Sequence, residues 1–283
     1  MSSISGSSPR RLPRAVRGLI DDAAVFPPGN APLPEAVTAH RVHRTSWYAP
    51  LVGPLLVPAS RVGDLAVLGE DLEVGLIGDT GLAGLDHALT ASVTIRQVEI
   101  PVAKRGEDPL PGLRDLLSWA SGQAAVDVYA EIPLTEGYIA ALDELAAHTG
   151  VAPKFRTGGL AAELFPSPHT LAFAIVACAQ RGLRFKLTAG LHRAIRHTDP
   201  STGFDHHGFL NVLVASAAAA EGAEVDDVAA LLAQTSRTSV LTRAQRLLHT
   251  ERPLWIGFGS CSISEPLDDL IDLDLLPEEP DVH

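Results

Sequence analysis

The chain predicts an α/β protein folded as a single-domain (β/α)8 barrel of the TIM type, on three observations. Short apolar runs alternate eight times with longer segments of helical spacing, the pattern of a parallel sheet covered by helices. No low-complexity linker divides the sequence. At 283 residues, closing the sheet into a barrel is the economical way to use all eight runs in one domain. A doubly wound open sheet is the competing arrangement.

The eight runs occupy residues 19–26, 55–58, 72–77, 96–101, 126–133, 152–159, 183–190 and 254–260. The first two are flanked by proline and are the weakest strands of the set. Between the later runs, Leu113, Leu116, Leu117 and Ala120 follow helical spacing, as do Tyr138, Leu142 and Leu145, and Leu171, Ile175 and Cys178. Pro168 suits a first helical turn, where its missing N–H costs nothing. Further helices are expected over 208–220, 225–234 and 238–248, and a terminal one from Ser264, read as its N-cap. Residues 1–15 read as a disordered basic tail and 16–283 as the barrel domain.

Bulk properties narrow the partners. The hydrophobic fraction of 46% suits an ordinary globular domain, and a net charge of -12 argues against a nucleic-acid-binding face. No stretch approaches the roughly 18 apolar residues of a membrane span, and no membrane partner is expected. Two distant cysteines, Cys178 and Cys261, form no disulfide framework, so a cytoplasmic setting is the natural one. A homodimer is the default among soluble oligomers.

In such a barrel the active site lies at the C-terminal ends of the strands. Polar residues inside the apolar runs therefore stand out. The fourth run carries Glu99 and the fifth Glu131, each followed by Ile-Pro, so both carboxylates should point the same way. They read either as a structural pair or as acid/base groups. Alternation places Lys154 and Arg156 on one face of the sixth strand, and Lys186 and Thr188 on one face of the seventh. Phe185 and Leu187 then face the helices and Lys186 the barrel interior. One buried lysine can depress the pKa of another, leaving a neutral amine that attacks a carbonyl to form a Schiff base. Glu131 or Glu99 would carry the protons.

Three small-residue turns follow the last strands: Thr157-Gly158-Gly159, Thr188-Ala189-Gly190 and Gly259-Ser260-Cys261-Ser262. They read as tight turns or as an anion cradle, which with Arg156 would suit a small anionic metabolite. The segment after the seventh strand is rich in histidine and aspartate, including His192, His206 and His207. It reads as a solvated loop, as a lid contacting substrate, or as a source of ligands for a divalent metal shared with Glu99 or Glu131. Asn211, one turn into the next helix, is a candidate to face the mouth. No cofactor motif is present, and a divalent metal is the alternative to a cofactor-free site. Cys261 is a weaker candidate nucleophile.

The runs Lys154-Phe155-Arg156-Thr157-Gly158-Gly159 and Lys186-Leu187-Thr188-Ala189-Gly190-Leu191 resemble the paired-lysine strands of class I aldolases of the deoxyribose-phosphate type. The resemblance implies Lys154 as Schiff-base lysine, Lys186 as its tuning partner, and Gly259, Ser260 and Ser262 as a phosphate turn. The substrate it implies is a small oxo-acid or sugar phosphate. This chain departs from the pattern at Arg156, where a small residue is expected, and lacks a clear counterpart of the catalytic aspartate. A wider resemblance, carried by Asp22-Ala23-Ala24-Val25-Phe26-Pro27-Pro28 and Phe185-Lys186-Leu187-Thr188-Ala189-Gly190-Leu191-His192, is to a bacterial barrel family and implies no mechanism. A metal-dependent barrel lyase or hydrolase and a non-catalytic metabolite-binding barrel are the alternatives to a Schiff-base lyase.

Overall fold

Eight parallel strands close into a barrel. They are β1 (Ile20–Asp22), β2 (Val52–Pro58), β3 (Glu73–Ile77), β4 (Thr94–Pro101), β5 (Asp127–Glu131), β6 (Val151–Arg156), β7 (Phe185–Thr188) and, after a small antiparallel hairpin of β8 (His197–Thr198) and β9 (Asp205–His206), β10 (Trp255–Ser260). Closure comes from β10, which pairs with β7 on one side and with β1 on the other. The structure, a computed structural model, describes residues 12–65, 68, 72–123 and 125–278. All eight expected strands are present, including the two flanked by proline. Of the predicted tail, residues 1–11 lie outside the described residues. The chain is already packed from Leu12: Ala15 and Val16 are buried, and Ala15 N–H donates to Leu248 O.

The helices are α1 (Leu33–Thr45), α2 (Val62–Leu65), α3 (Gly81–Ala88), α4 (Leu110–Ala120), α5 (Tyr138–Ala146), α6 (Pro168–Gln180), α7 (Phe209–Ala220), α8 (Val225–Ala233), α9 (Arg237–Leu247) and α10 (Ser264–Asp272). The expected apolar stripes face inward: Leu113, Leu116 and Leu117 of α4 and Leu171, Ile175 and Cys178 of α6 are buried, while Ala120 and Tyr138 are half-buried. Pro168 opens α6 behind Ser167, whose Oγ accepts the Thr170 N–H. At α10 the N-cap is Ile263 rather than the expected Ser264, which already lies inside the helix, and the preceding Ser262 Oγ accepts the Glu265 N–H. The stretch 162–180 is apolar enough for a membrane span by length and composition. Pro166 and Pro168 divide it, however, and α6 packs its apolar side onto α7 and α8.

Strand alternation sorts side chains between helices and barrel interior. Phe155 and Phe185 meet on the outer side with ring centroids 6.2 Å apart, and Phe258 stacks between Trp255 and Phe209 of α7. In β1 the same alternation sends Asp22 outward to His40 of α1, 3.0 Å away, and Asp21 inward. Two glycines make room inside. A Cβ at Gly53 would lie 2.0 Å from Asp21 Oδ1, and one at Gly75 would strike Leu56 and Gln97.

Candidate active site

The barrel interior holds a charge cluster built from five strands. Lys154 of β6 and Lys186 of β7 are register partners. Lys186 Nζ donates to Glu99 Oε1 at 2.5 Å and to Asp21 Oδ2. Lys154 Nζ lies 2.6 Å from Glu99 Oε2 and 2.8 Å from Glu131 Oε2. Arg156, two residues further along β6, donates through Nε and Nη2 to Glu131 Oε1. Gln97, two residues before Glu99 and therefore on its face, donates to Asp21 at 2.7 Å and to Glu99 at 2.9 Å. Lys186 Nζ also sits 4.6 Å above the centre of the Tyr129 ring. Three carboxylates (Asp21, Glu99, Glu131) thus face three cations (Lys154, Lys186, Arg156).

Both lysines, Asp21 and Glu99 are buried, which raises the stakes of every pairing. Burial on its own would push Glu99 up, but the ammonium groups of Lys154 and Lys186 outweigh it and hold its carboxyl at about 2. Burial likewise opposes ionisation of Glu131, and Lys154 with Arg156 reverses the direction and brings it down. Asp21 differs: burial and the neighbouring Glu99 charge leave its carboxyl raised in spite of Lys186. For the lysines, burial favours the neutral amine, yet Glu131 and Glu99 raise Lys154, and Asp21 and Glu99 raise Lys186. This corrects the expectation that one lysine depresses the other. Each amine is nearer to carboxylates than the simple two-lysine picture allows, so the resting cluster is a set of ion pairs.

Above the cluster, toward the strand ends, a cleft of about 380 Å³ is lined by Glu131, Arg156, Arg105, Leu134, Ser167 and Thr170, among others. Arg156 is 42% exposed at its side chain and Glu131 16%, so this pair forms the boundary between the buried charges and the cleft. The expected grouping of Glu99, Glu131, Lys154, Lys186 and Arg156 therefore exists. Thr188 is half-buried on the Lys186 face, with its Oγ1 3.3 Å from where a Cβ on Gly259 would stand.

The small-residue turns after β6 and β7 pack against each other. Thr157 Oγ1 donates to Ala189 O at 2.6 Å, and Thr157 N–H donates to Thr188 O. A Cβ on Gly158 would lie 2.6 Å from Gly190 Cα, and one on Gly190 2.6 Å from Thr157 O. These glycines let the β6 and β7 turns press backbone against backbone, with Gly190 at a positive φ of 75°. Gly159 is filled in the same way by Leu164. In the last turn, Ser260 Oγ donates to Ser262 O, and Ser262 Oγ accepts the Glu265 N–H. The two serine hydroxyls of the last turn are thus engaged locally.

The histidine segment is ordered as the β8–β9 hairpin. His207 is fully buried and bonds Pro166 O at 2.8 Å, and Asn211 spans Arg196 N, Leu231 O and Gln234 O, so neither faces the mouth. His192 is held by Glu265 and Cys261 rather than by Glu99 or Glu131, so the metal set expected from those residues is not assembled. No three His, Cys, Asp or Glu side chains converge as ion ligands among the described residues. Two members of the cluster were not marked as such by the sequence: Asp21, which could equally cap a turn or line the pocket, and the uncharged Gln97. The i, i+2 relation of Gln97 to Glu99 was a usable signal. No family model, curated protein or solved structure matches the chain.

Proposed function

We propose that this barrel is a Schiff-base lyase of the aldolase kind, acting on a small anionic carbonyl compound such as an oxo-acid or a sugar phosphate. The observation that carries this reading is the pair of amines on the two oxygens of Glu99, enclosed by Asp21 and Glu131 beneath an arginine-lined cleft. Lys154 is the nucleophile in this reading, because its second partner, Glu131, lines the cleft.

The amine must first lose its proton, and the cluster supplies an acceptor. An anionic substrate entering the cleft draws Arg156 away from Glu131. Without that guanidinium the Glu131 carboxyl becomes more basic and takes the proton from Lys154, 2.8 Å away. Moving a proton from ammonium to carboxylate removes two buried charges, which a dry site favours. The neutral amine adds to the carbonyl carbon, and Glu131 returns the proton as the carbinolamine loses water. The resulting iminium accepts the electron pair of the adjacent carbon–carbon bond as it breaks, giving an enamine, while Glu131, again a carboxylate, takes the proton of the hydroxyl that becomes the carbonyl of the departing fragment. Lys186, kept cationic by Asp21 and Glu99, supplies fixed positive charge beside the reacting nitrogen.

The test is borohydride reduction in the presence of pyruvate, acetaldehyde or glyceraldehyde 3-phosphate, followed by peptide mapping. The reading requires a reduced adduct on Lys154, lost in Lys154→Arg. Absence of any adduct, with no carbon–carbon cleavage of oxo-acid or sugar-phosphate probes, would leave the second reading, a metabolite-binding barrel without turnover. The matched charges and the raised lysines favour that alternative. It predicts thermal stabilisation by an anionic ligand with no product formed. Either way a small anionic metabolite is the expected partner and the cytoplasm the expected setting, with no metal in the steps described.

A further inference from the structure

A second set of reactive side chains lies at the same end of the barrel, outside the lysine cluster. Cys261 directly follows β10, and His192 lies in the turn after β7. Glu265 is in the first turn of α10. His192 Nδ1 is 2.7 Å from Glu265 Oε2, and His192 Nε2 is 3.7 Å from Cys261 Sγ. A carboxylate on one ring nitrogen fixes the imidazole as the Nδ1–H tautomer, leaving the Nε2 lone pair aimed at the thiol. A nucleophile, its base and the group that orients the base are thereby in sequence, the arrangement that activates a thiol or hydroxyl for acyl transfer.

From this we infer that Cys261, His192 and Glu265 form a thiol-based acyl-transfer centre whose substrate is an acyl thioester. The inference goes beyond the Schiff-base reading and uses none of its residues. Two further features support it. Cys261 and His192 are both half-buried, while the other cysteine, Cys178, is sealed in α6. The loop at Gly29 packs onto Cys261, where an added Cβ would come 3.1 Å from the Cys261 Cβ, so the thiol-bearing backbone is held in place. The titratable groups facing His192 are Cys261, Glu265 and His206 of the β8–β9 hairpin. Burial disfavours the imidazolium, but the thiol and Glu265 turn the balance and raise His192, which favours the cation needed beside a thiolate.

The step balances without a co-reactant. His192 Nε2 takes the Cys261 proton, and the sulfur attacks the acyl carbon. The carbonyl π pair moves to oxygen and returns as the original carbon–sulfur bond breaks. The departing thiolate takes the proton back from His192, leaving S-acyl Cys261 and a free thiol. A thioester is favoured over an alkyl ester, because an alkoxide leaves less readily than the cysteine thiolate, and an ester intermediate therefore reverts.

The experiment uses the full chain and S-phenyl thioacetate, following thiophenol release and locating the acetyl group by peptide mass. Expected are a burst of one thiophenol per chain, the acetyl group on Cys261 and not on Cys178, and a rate per thiol well above that of free glutathione at the same pH. His192→Gln should slow the burst by about 100-fold and Cys261→Ala should abolish it, with thermal melts confirming that both variants are folded. Acetylation of wild-type Cys261 no faster than glutathione would overturn the proposal without reference to any variant. So would a folded His192→Gln protein that reacts at the wild-type rate.

Discussion

Lys154 and Lys186 face each other across the β6–β7 register, and their amino nitrogens rest on opposite oxygens of one carboxylate, Glu99. Glu99 is therefore the shared counter-ion of two cations that would otherwise repel. Its replacement by glutamine leaves both amines with one anion each, in a space that excludes water. Removing one partner from a buried pair typically costs about 3–5 kcal/mol, and Glu99→Gln is expected to lose that much in urea denaturation. The double change Glu99→Gln/Lys186→Met deletes one charge of each sign, leaving Asp21 and Glu131 against Lys154 and Arg156. Because Asp21 then lacks its cation, the double variant should be no more stable than Glu99→Gln, but its loss should fall well short of the sum of the two single losses, since each change removes the charge that the other leaves unpaired. A double mutant that shows the summed losses of the two single changes would mean that the two residues do not interact energetically.

Asp21 gives a prediction whose sign depends on pH. In Lys186→Met the Asp21 carboxylate keeps only Gln97 and remains buried, so the variant should be less stable by about 3–5 kcal/mol near neutral pH. The Asp21 carboxyl already stands above its ordinary value because of burial, and losing Lys186 raises it further. A group with a folded pKa above its unfolded one binds its proton more tightly in the folded state, so falling pH favours folding. The deficit should therefore shrink as the pH falls from neutral toward the ordinary carboxylate value of 3.8. Urea melts of variant and wild type across that range measure it, and a deficit that does not change with pH would exclude Asp21 as its source.

How much of this was legible follows from strand periodicity. Lys186 was assignable to the interior, and Lys154 with Arg156 to one face, because each run is long enough to show alternation, and Glu99 stood out by the Ile-Pro frame that it shares with Glu131. Asp21 was not assignable, since β1 has only three residues and the adjacent Asp22 offers the same chemistry in the opposite phase. The sign of the lysine shifts was also out of reach. It depends on how many carboxylates reach each amine, and for Lys186 one of the two is Asp21. Gly158 and Gly190 were compatible with an anion cradle or with tight turns, and the close approach of their two separate loops is not visible in local sequence. Cys261, His192 and Glu265 lie on two loops and a helix whose mutual placement leaves no trace in local sequence.

The interlocked turns can be tested directly. Gly190→Ala adds a Cβ that would lie 2.6 Å from Thr157 O, at a residue whose φ is 75°. Overpacking of this kind costs about 1–3 kcal/mol, and the positive φ adds to it. A melting temperature lower by several degrees is expected. Gly203→Ala, with a similar φ of 73° and nothing within 4 Å, separates the two contributions. It should lose less. Equal losses at both positions would show that backbone conformation alone, and not contact between the β6 and β7 turns, sets the cost.

His207 provides the acid limit. It is fully buried against Pro166 O, and burial depresses its pKa from the ordinary 6.5 to about 4. Because the folded protein binds this proton less readily than the unfolded chain, the stability it contributes is complete above pH 6.5 and disappears as the pH falls through about 4. The shift corresponds to about 3 kcal/mol at most. Glu99 acts in a later window, from its ordinary 4.5 down to about 2, and in the same direction. Wild-type stability should thus fall in two overlapping stages on acidification. His207→Gln keeps a donor for Pro166 O and cannot titrate, so it should flatten the first stage and leave the second in place. Denaturant midpoints measured at intervals from neutral pH to acid distinguish the stages, and an unchanged first stage in His207→Gln would assign it to another group.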